Sequence, residues 1–332
     1  MLVYYMTYTL LIVESPAKCN KIEKYLGSNY KCIASYGHIT ELNGLKSIKE
    51  GYVPCYTLME SKKKQIEKIR NAIKKAKKII LASDDDREGE AIAWNICVQF
   101  NLDVKTTKRI IFNEITEKAL KQAVANPTSI NMNLVNAQQA RQILDILVGF
   151  NISPLLWKNI SNNKLSAGRC QTPALRLIYE NEKEIEKCPG EKVYQTIGYF
   201  TSQNLPFELN HNHKDEEELV KFLEESKNFN YIITKTEPKK NVSKAPEPLT
   251  TSRLQQKASN ELKFSPKETM RLSQKLYEEG YITYMRTDSK FYCEDFLKKM
   301  EKYAKNEYGS KYFNDNIEFK TNIGAQEAHE SI

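Results

Sequence analysis

The sequence contains no CxxC pair. Its seven cysteines (19, 32, 55, 97, 170, 188 and 293) are dispersed and odd in number, which argues for reduced thiols in an intracellular setting and against a zinc ribbon in this chain. No run of about 18 apolar residues is present, so no membrane span is expected. The apolar start, MLVYYMTYTLLIV, lacks a basic leader and a small-residue cleavage site and runs directly into Glu14 and Lys18. It therefore reads as a buried strand, TLLIV, with residues 1–6 as an extension, and not as a signal peptide. Internal repeats are also missing. What the chain does carry is charge: 50 Lys and Arg against 42 Asp and Glu give +8 and a pI near 8.9. That excess favours a polyanionic partner, but only modestly. Its 332 residues allow two or three domains.

Strand and helix patterns alternate through the first third. TLLIV (9–13) precedes a helix candidate ended by Gly27, then CIASYGHI as a strand. A basic amphipathic helix follows with Ile66, Ile69 and Ile73 on one stripe, its lysines reading as a solvated face and not a DNA groove. KKIILASDDD is the next strand, GEAIAWNICVQF a helix, and RIIF (109–112) a further strand. Apolar strands separated by helices predict an α/β domain with a mainly parallel, covered sheet. Residues 131–187 read as helical, with Leu134, Ala137, Ile143, Leu144, Leu147 and Val148 on the apolar side and a second helix starting at Thr172–Pro173. Residues 188–248 hold short strand-like runs and the linker EPKKNVSKAPEP. From 249 helices return; SPKE (265–268) is a capping box, Gly280 the matching stop, and YITYMR (281–286) a short strand.

The acidic run SDDDREGE (83–90) sits where an apolar strand ends, the place where ligands gather in α/β sheets. On an extended segment Asp84 and Asp86 share a face, with Glu88 at the same alternation or in the first helical turn; Glu14 ends the strand TLLIVE and meets the Asp pair if the two strands are neighbours. Such hard oxygen donors suit Mg²⁺ working on phosphate. A solvated loop capping the next helix explains an isolated acid run equally well; Lys18, in ESPAK beside Glu14, favours the phosphate site. In YITYMRTDS only Tyr284 has an arginine, Arg286, two positions on, so it is a better nucleophile than Tyr281. In a chain with nineteen tyrosines, both could otherwise be structural.

LLIVESPAK, GHI (37–39) and ASDDDREGEAIAW resemble the Toprim domain. FNEIT (112–116), NAQQARQILDILVGFNISPLLW (136–157), LSAGRCQTPALRL (165–177), LTTSRLQQKAS (249–259), LYEEGYITYMRTDS (276–289) and AQEAHESI (325–332) resemble type IA DNA topoisomerases, in the family's order. The Met of ITYMRTDS resembles the bacterial topoisomerase I branch, whereas GRCQTPAL leans toward topoisomerase III. The resemblance implies a Toprim domain over 7–130, followed by helical, small β-containing and winged-helix-like α/β segments: a helical DNA-binding segment over 131–187, an arch segment over 188–248 and an incomplete catalytic tyrosine domain over 249–332. It implies that Tyr284 forms a 5′-phosphotyrosine, Arg286 and Lys18 meet the scissile phosphate, Glu14 moves a proton at the 3′-oxygen, and His329 lies near that phosphate. Glu14, Asp84, Asp86 and Glu88 would hold Mg²⁺ for religation.

His38, Arg141, Gln142, Asp145, Phe150, Trp157 and the loop of Ser166, Ala167, Gly168, Arg169, Cys170 and Gln171 match DNA-contacting positions, as does Arg286; for Phe150 and Trp157 core packing is an equal alternative. Gln274 and Glu278 precede the nucleophile on one helix and could face it; His211 and His213 read as surface residues. The implied partners are single-stranded and negatively supercoiled DNA, met inside the cell by a monomer. In that family the sequence continues past AQEAHESI. Residues 1–332 alone are therefore expected to relax plasmid poorly, the rest coming from a longer chain or a second polypeptide, unless the copy is decayed. A Toprim nuclease or primase, or an inactive DNA-binding remnant, are the competing expectations.

Overall fold

The computed structural model describes residues 8–241, 243, 246–313 and 330–332, so His329 lies outside the described residues. The chain divides into two compact units, Met1–Ser166 with Ala245–Ile332, and Ala167–Lys244.

In the first unit β1 (Thr9–Val13), α1 (Pro16–Leu26), β2 (Tyr30–Ala34), α2 (Lys63–Lys75), β3 (Lys78–Ala82), α3 (Arg87–Gln99), β4 (Lys108–Arg109) and α4 (Glu117–Ala125) build a parallel sheet of order β2–β1–β3–β4. The strands' period of two splits their apolar residues between two layers. Leu11, Val13, Ala34, Ile80 and Ala82 pack with Ile22 of α1 and Leu120 of α4. Leu10, Ile12 and Leu81 pack with Ile66 and Ile69 of α2 and Ile92 and Ile96 of α3. Both faces are covered, as a parallel sheet requires. Ser15 caps α1, Pro16 opens it and Gly27, at φ 86°, ends it.

Several elements differ from expectation. CIASYGHI leaves the sheet at Ala34, because Tyr36 and Gly37 take φ of 60° and 84° and turn the chain away. RIIF pairs only at its start, although the Ile110 amide still donates to the Leu81 carbonyl at 2.9 Å. α5 (Met132–Ile160) has 29 residues and runs through Pro154; by length and composition alone it is apolar enough to cross a membrane. It packs on α3 and buries Val135, Gln138 and Ile143, while Leu144 is exposed. The buried face also carries a polar contact: the Gln138 amide donates to the Glu88 carboxylate at 3.0 Å.

The second unit contains α6 (Gln171–Lys187), the hairpin of β5 (Ile197–Phe200) and β6 (Leu205–Glu208), and α7 (Glu216–Ser226). α6 starts one residue before the Thr172–Pro173 signal, since the Thr172 hydroxyl accepts from the Gly168 amide at 3.1 Å ahead of it. NYIITK forms no strand.

Back in the first unit, α8 (Thr251–Leu262), α9 (Pro266–Glu278) and α10 (Glu294–Glu307) follow. The Ser265 hydroxyl caps α9 through the Glu268 amide at 3.2 Å, but the Glu268 carboxylate turns to Arg271, so only half of the capping box forms. Gly280, at φ 70°, ends the helix; a Cβ there would stand 3.0 Å from the Ile115 carbonyl oxygen. YITYMR is not a strand. Its backbone hangs on single bonds: the Tyr284 amide donates to the Asn113 carbonyl at 2.9 Å, and the Met285 carbonyl accepts from the Thr251 hydroxyl at 2.7 Å. Tyr284, Met285 and Tyr277 complete the core layer under α1 and α4.

In the first turn of α3 Gly89 is sterically obligatory, because a Cβ on it would lie 2.1 Å from the Asp84 carbonyl oxygen. Gly89→Ala should therefore lower the urea midpoint by an amount equal to about 1–3 kcal/mol, the usual cost of overpacking. An unchanged midpoint would contradict this close approach.

Candidate active site

The register places Val13 level with both Ala34 and Ala82. Glu14, Ser35 and the Ser83–Asp84 pair consequently leave the sheet at one edge, at the carboxyl ends of the strands. Asp86 then caps α3, its Oδ1 accepting from the Gly89 amide at 2.8 Å. Its other oxygen, Oδ2, accepts from the Tyr284 hydroxyl at 2.6 Å and from Arg286 Nη1 at 3.0 Å. The acidic motif and the tyrosine motif, 198 residues apart, thus meet on one carboxylate oxygen. Tyr281 is 77% exposed, whereas Tyr284 is 3% exposed and packs edge-on against Tyr277 at 5.3 Å. Tyr277 in turn donates to the Phe112 carbonyl at 3.2 Å.

Burial, then the charges of Asp86 and Asp84, push the Tyr284 phenol well above its ordinary range; Arg286 opposes them. The phenol is therefore held protonated, donating to Asp86. Lys18 is fully buried and forms an ion pair with Asp84, with its ammonium 4.8 Å above the Tyr277 ring. It faces the interior. Glu88 accepts from His38 at 3.2 Å and Gln138 at 3.0 Å and lies 3.5 Å from Arg141; the His38 contact contributes most to lowering its pKa. Glu14 is pushed up to about 7, chiefly by burial and then by Asp84.

Glu14, Asp84, Asp86, Glu88, Tyr284 and Arg286 line one cleft of about 540 Å³, together with Gln274 and Glu278 of α9. Four carboxylates are hard-oxygen donors of the kind a divalent cation takes, and Asp84 and Asp86 both add to the effect of burial in raising Glu14. Asp84 and Asp86 nevertheless do not converge on one point: Lys18 draws the first, Tyr284 and Arg286 the second. Among the described residues no three acidic, histidine or cysteine side chains come together as ligands of one ion.

Of the other candidates, Gln142 accepts from the Tyr56 hydroxyl at 2.9 Å, and Asp145 is exposed on α5. Phe150 is exposed, its ring lying over Gly44; Trp157 donates from its indole to the Leu165 carbonyl at 2.6 Å. Neither ring is in the core. Ser166 ends the first unit, and Ala167, Gly168, Arg169, Cys170 and Gln171 open the second. His213 is buried against Phe222 rather than at the surface.

Sequence reasoning missed Arg109 and Glu90. Arg109 is fully buried, bonds Glu90 at 2.9 Å and donates to the Ser83 and Asp84 carbonyls at 2.8 Å each. It holds the backbone that presents Asp84. The available signal was an arginine opening the apolar run RIIF.

The Glu14 shift makes a pH prediction in cation-free buffer. A carboxyl raised from 4.5 to about 7 stabilises the fold fully below 4.5, and that contribution is lost as pH rises through 7. Glu14→Gln should thus gain on the order of 1–3 kcal/mol over wild type at alkaline pH and nothing at acid pH. Parallel urea curves at the two extremes would refute it.

Residues 129–332 match the DNA topoisomerase family model and residues 9–115 the Toprim domain. Full-length topoisomerase I from Thermotoga maritima is similar in structure, with a TM-score of 0.76 and 37% identity over 92% of this chain and 54% of that one. The chain spans about half the length of that relative. With Toprim acids and the tyrosine of the topoisomerase segment joined on one oxygen, and with these matches, the chain belongs to the type IA DNA topoisomerases.

Proposed function

We propose that Tyr284 attacks a phosphorus of the DNA backbone, forming a 5′-phosphotyrosine and releasing a 3′-hydroxyl, and that the whole protein relaxes negatively supercoiled DNA by breaking, passing and rejoining one strand. The observation that carries this reading is the convergence of the Tyr284 hydroxyl and the Arg286 guanidinium on Asp86 Oδ2. A phenol titrates near pH 10 in water and higher in this setting, so it must shed its proton as it attacks. Asp86 accepts its hydrogen bond, and Arg286, more than half exposed at the cleft, offers charge to the phosphate. Glu14, pushed up to about 7 by burial, is partly protonated at neutral pH and is the proton donor to the leaving 3′-oxygen in this reading. Lys18 neutralises Asp84 and reaches a phosphate only by exchanging that partner.

Glu14, Asp84, Asp86 and Glu88 are the residues that would hold Mg²⁺, which when bound supplies positive charge for religation. His38, Arg141, Gln142, Asp145, Phe150, Trp157 and residues 166–171 contact the single strand in this reading, His329 stands near the phosphate, and the enzyme acts as a monomer inside the cell. A 3′-labelled single-stranded oligonucleotide tests the chemistry: label should transfer to the protein. Labelled fragments with free 5′ ends and no labelled protein would point to a Toprim nuclease that leaves Tyr284 idle.

A further inference from the structure

Two residues beyond the edge where β1, β2 and β3 end together, Tyr36 occupies a position that core packing does not explain. It lines the same cleft as Tyr284, Arg286 and Asp86, yet its side chain is 56% exposed. Its backbone is left-handed, at φ 60°, a conformation a bulky L-residue adopts only under constraint. The constraint is visible: Lys62 reaches across and donates from its ammonium to the carbonyls of both Tyr36 and His38, at 2.5 and 2.6 Å. Gly37, at φ 84°, continues the turn, and His38 beyond it bonds Glu88. The loop is thus tied at both ends, to α2's approach and to the acid cluster, and what it holds out is an aromatic ring.

We propose that Tyr36 is a stacking platform for a nucleobase of the bound strand next to the phosphate that Tyr284 attacks, a positioning role that rests on the reading of the cleft as a DNA site. The chemistry agrees with the surroundings. Lys267 and Arg271 of α9 and Arg286 line the same cleft and suit a phosphodiester backbone, while a flat ring accepts any base face without reading sequence. The tied turn fixes in advance the backbone that carries the ring, so less ordering remains to be done on binding. Phe150 and Trp157 lie on α5, so this platform is additional to them.

The test is 2-aminopurine scanning along a single-stranded oligonucleotide, with fluorescence and label transfer read on the full chain. Wild type should quench the probe at one position near the cleavage point, Tyr36→Phe should keep the quench, and Tyr36→Ala should lose it and bind about 10-fold more weakly. An abasic residue at that position should bring wild type down to the Tyr36→Ala level. Equal binding by wild type and Tyr36→Ala, or a gap that survives the abasic substitution, overturns the platform alone. Failure of wild type to bind any oligonucleotide overturns the DNA reading and the platform with it.

Discussion

Tyr284→Phe should abolish transfer of a 3′-labelled oligonucleotide to the protein, a loss of about four orders of magnitude or more, as deletion of a covalent nucleophile produces elsewhere. The group removed is one oxygen, and neither of the two neighbouring tyrosines stands in its place. Tyr277 spends its hydroxyl on the Phe112 carbonyl, and Tyr281 is 77% exposed. The variant also separates chemistry from folding. Its ring keeps the edge-on contact with Tyr277, and Asp86 keeps the Gly89 amide and Arg286. Stability should therefore change by no more than about 1 kcal/mol, the usual net worth of a single hydrogen bond. Oligonucleotide binding should persist. Tyr281→Phe, in contrast, should behave as wild type. Label transfer by Tyr284→Phe would remove the assignment.

Arg109→Met is expected to have the largest effect on stability, about 3–5 kcal/mol by urea unfolding, because it strands a buried partner. Glu90 is 1% exposed and would keep only the Asn131 amide at 3.2 Å as its contact on Oε2. The Ser83 and Asp84 carbonyls would each lose a donor. Since that strand end presents Asp84 and leads into Asp86, cleavage should fall as well. The companion Arg109→Met/Glu90→Met variant tells the two costs apart. Removing both charges relieves the uncompensated carboxylate, so the double variant should recover part of the loss. Equal destabilisation of single and double variants would assign the whole effect to the orphaned carbonyls.

The sheet was legible because TLLIV and KKIILA are apolar on both faces and alternate with helices, the pattern of a covered parallel sheet. Helix ends announced themselves through Ser265–Pro266, Gly27 and Gly280, where capping chemistry is local. YITYMR misled because its alternation suits a strand, yet no ladder partner exists among the described residues and isolated bonds to Asn113 and Thr251 hold it instead. The pairing of Tyr284 with Arg286 survived that error, since both still reach Asp86. On α5 the apolar count favoured Leu134 and Leu144, whereas the buried face carries Val135, Gln138 and Ile143, with Gln138 meeting Glu88. Partners that distant in sequence cannot be named from local pattern: an arginine opening RIIF is visible, but its pairing with Glu90 is not, nor is that of Lys18 with Asp84.

The most direct measurement is mass spectrometry of the trapped adduct after trypsin. Cleavage after Lys275 and Arg286 leaves Tyr277, Tyr281 and Tyr284 on one peptide, Leu276–Arg286, and fragmentation distinguishes them. A phosphodiester-linked nucleotide on Tyr284 is the predicted result. The same nucleotide on Tyr281, on another residue, or on none while the oligonucleotide is still cut would contradict it.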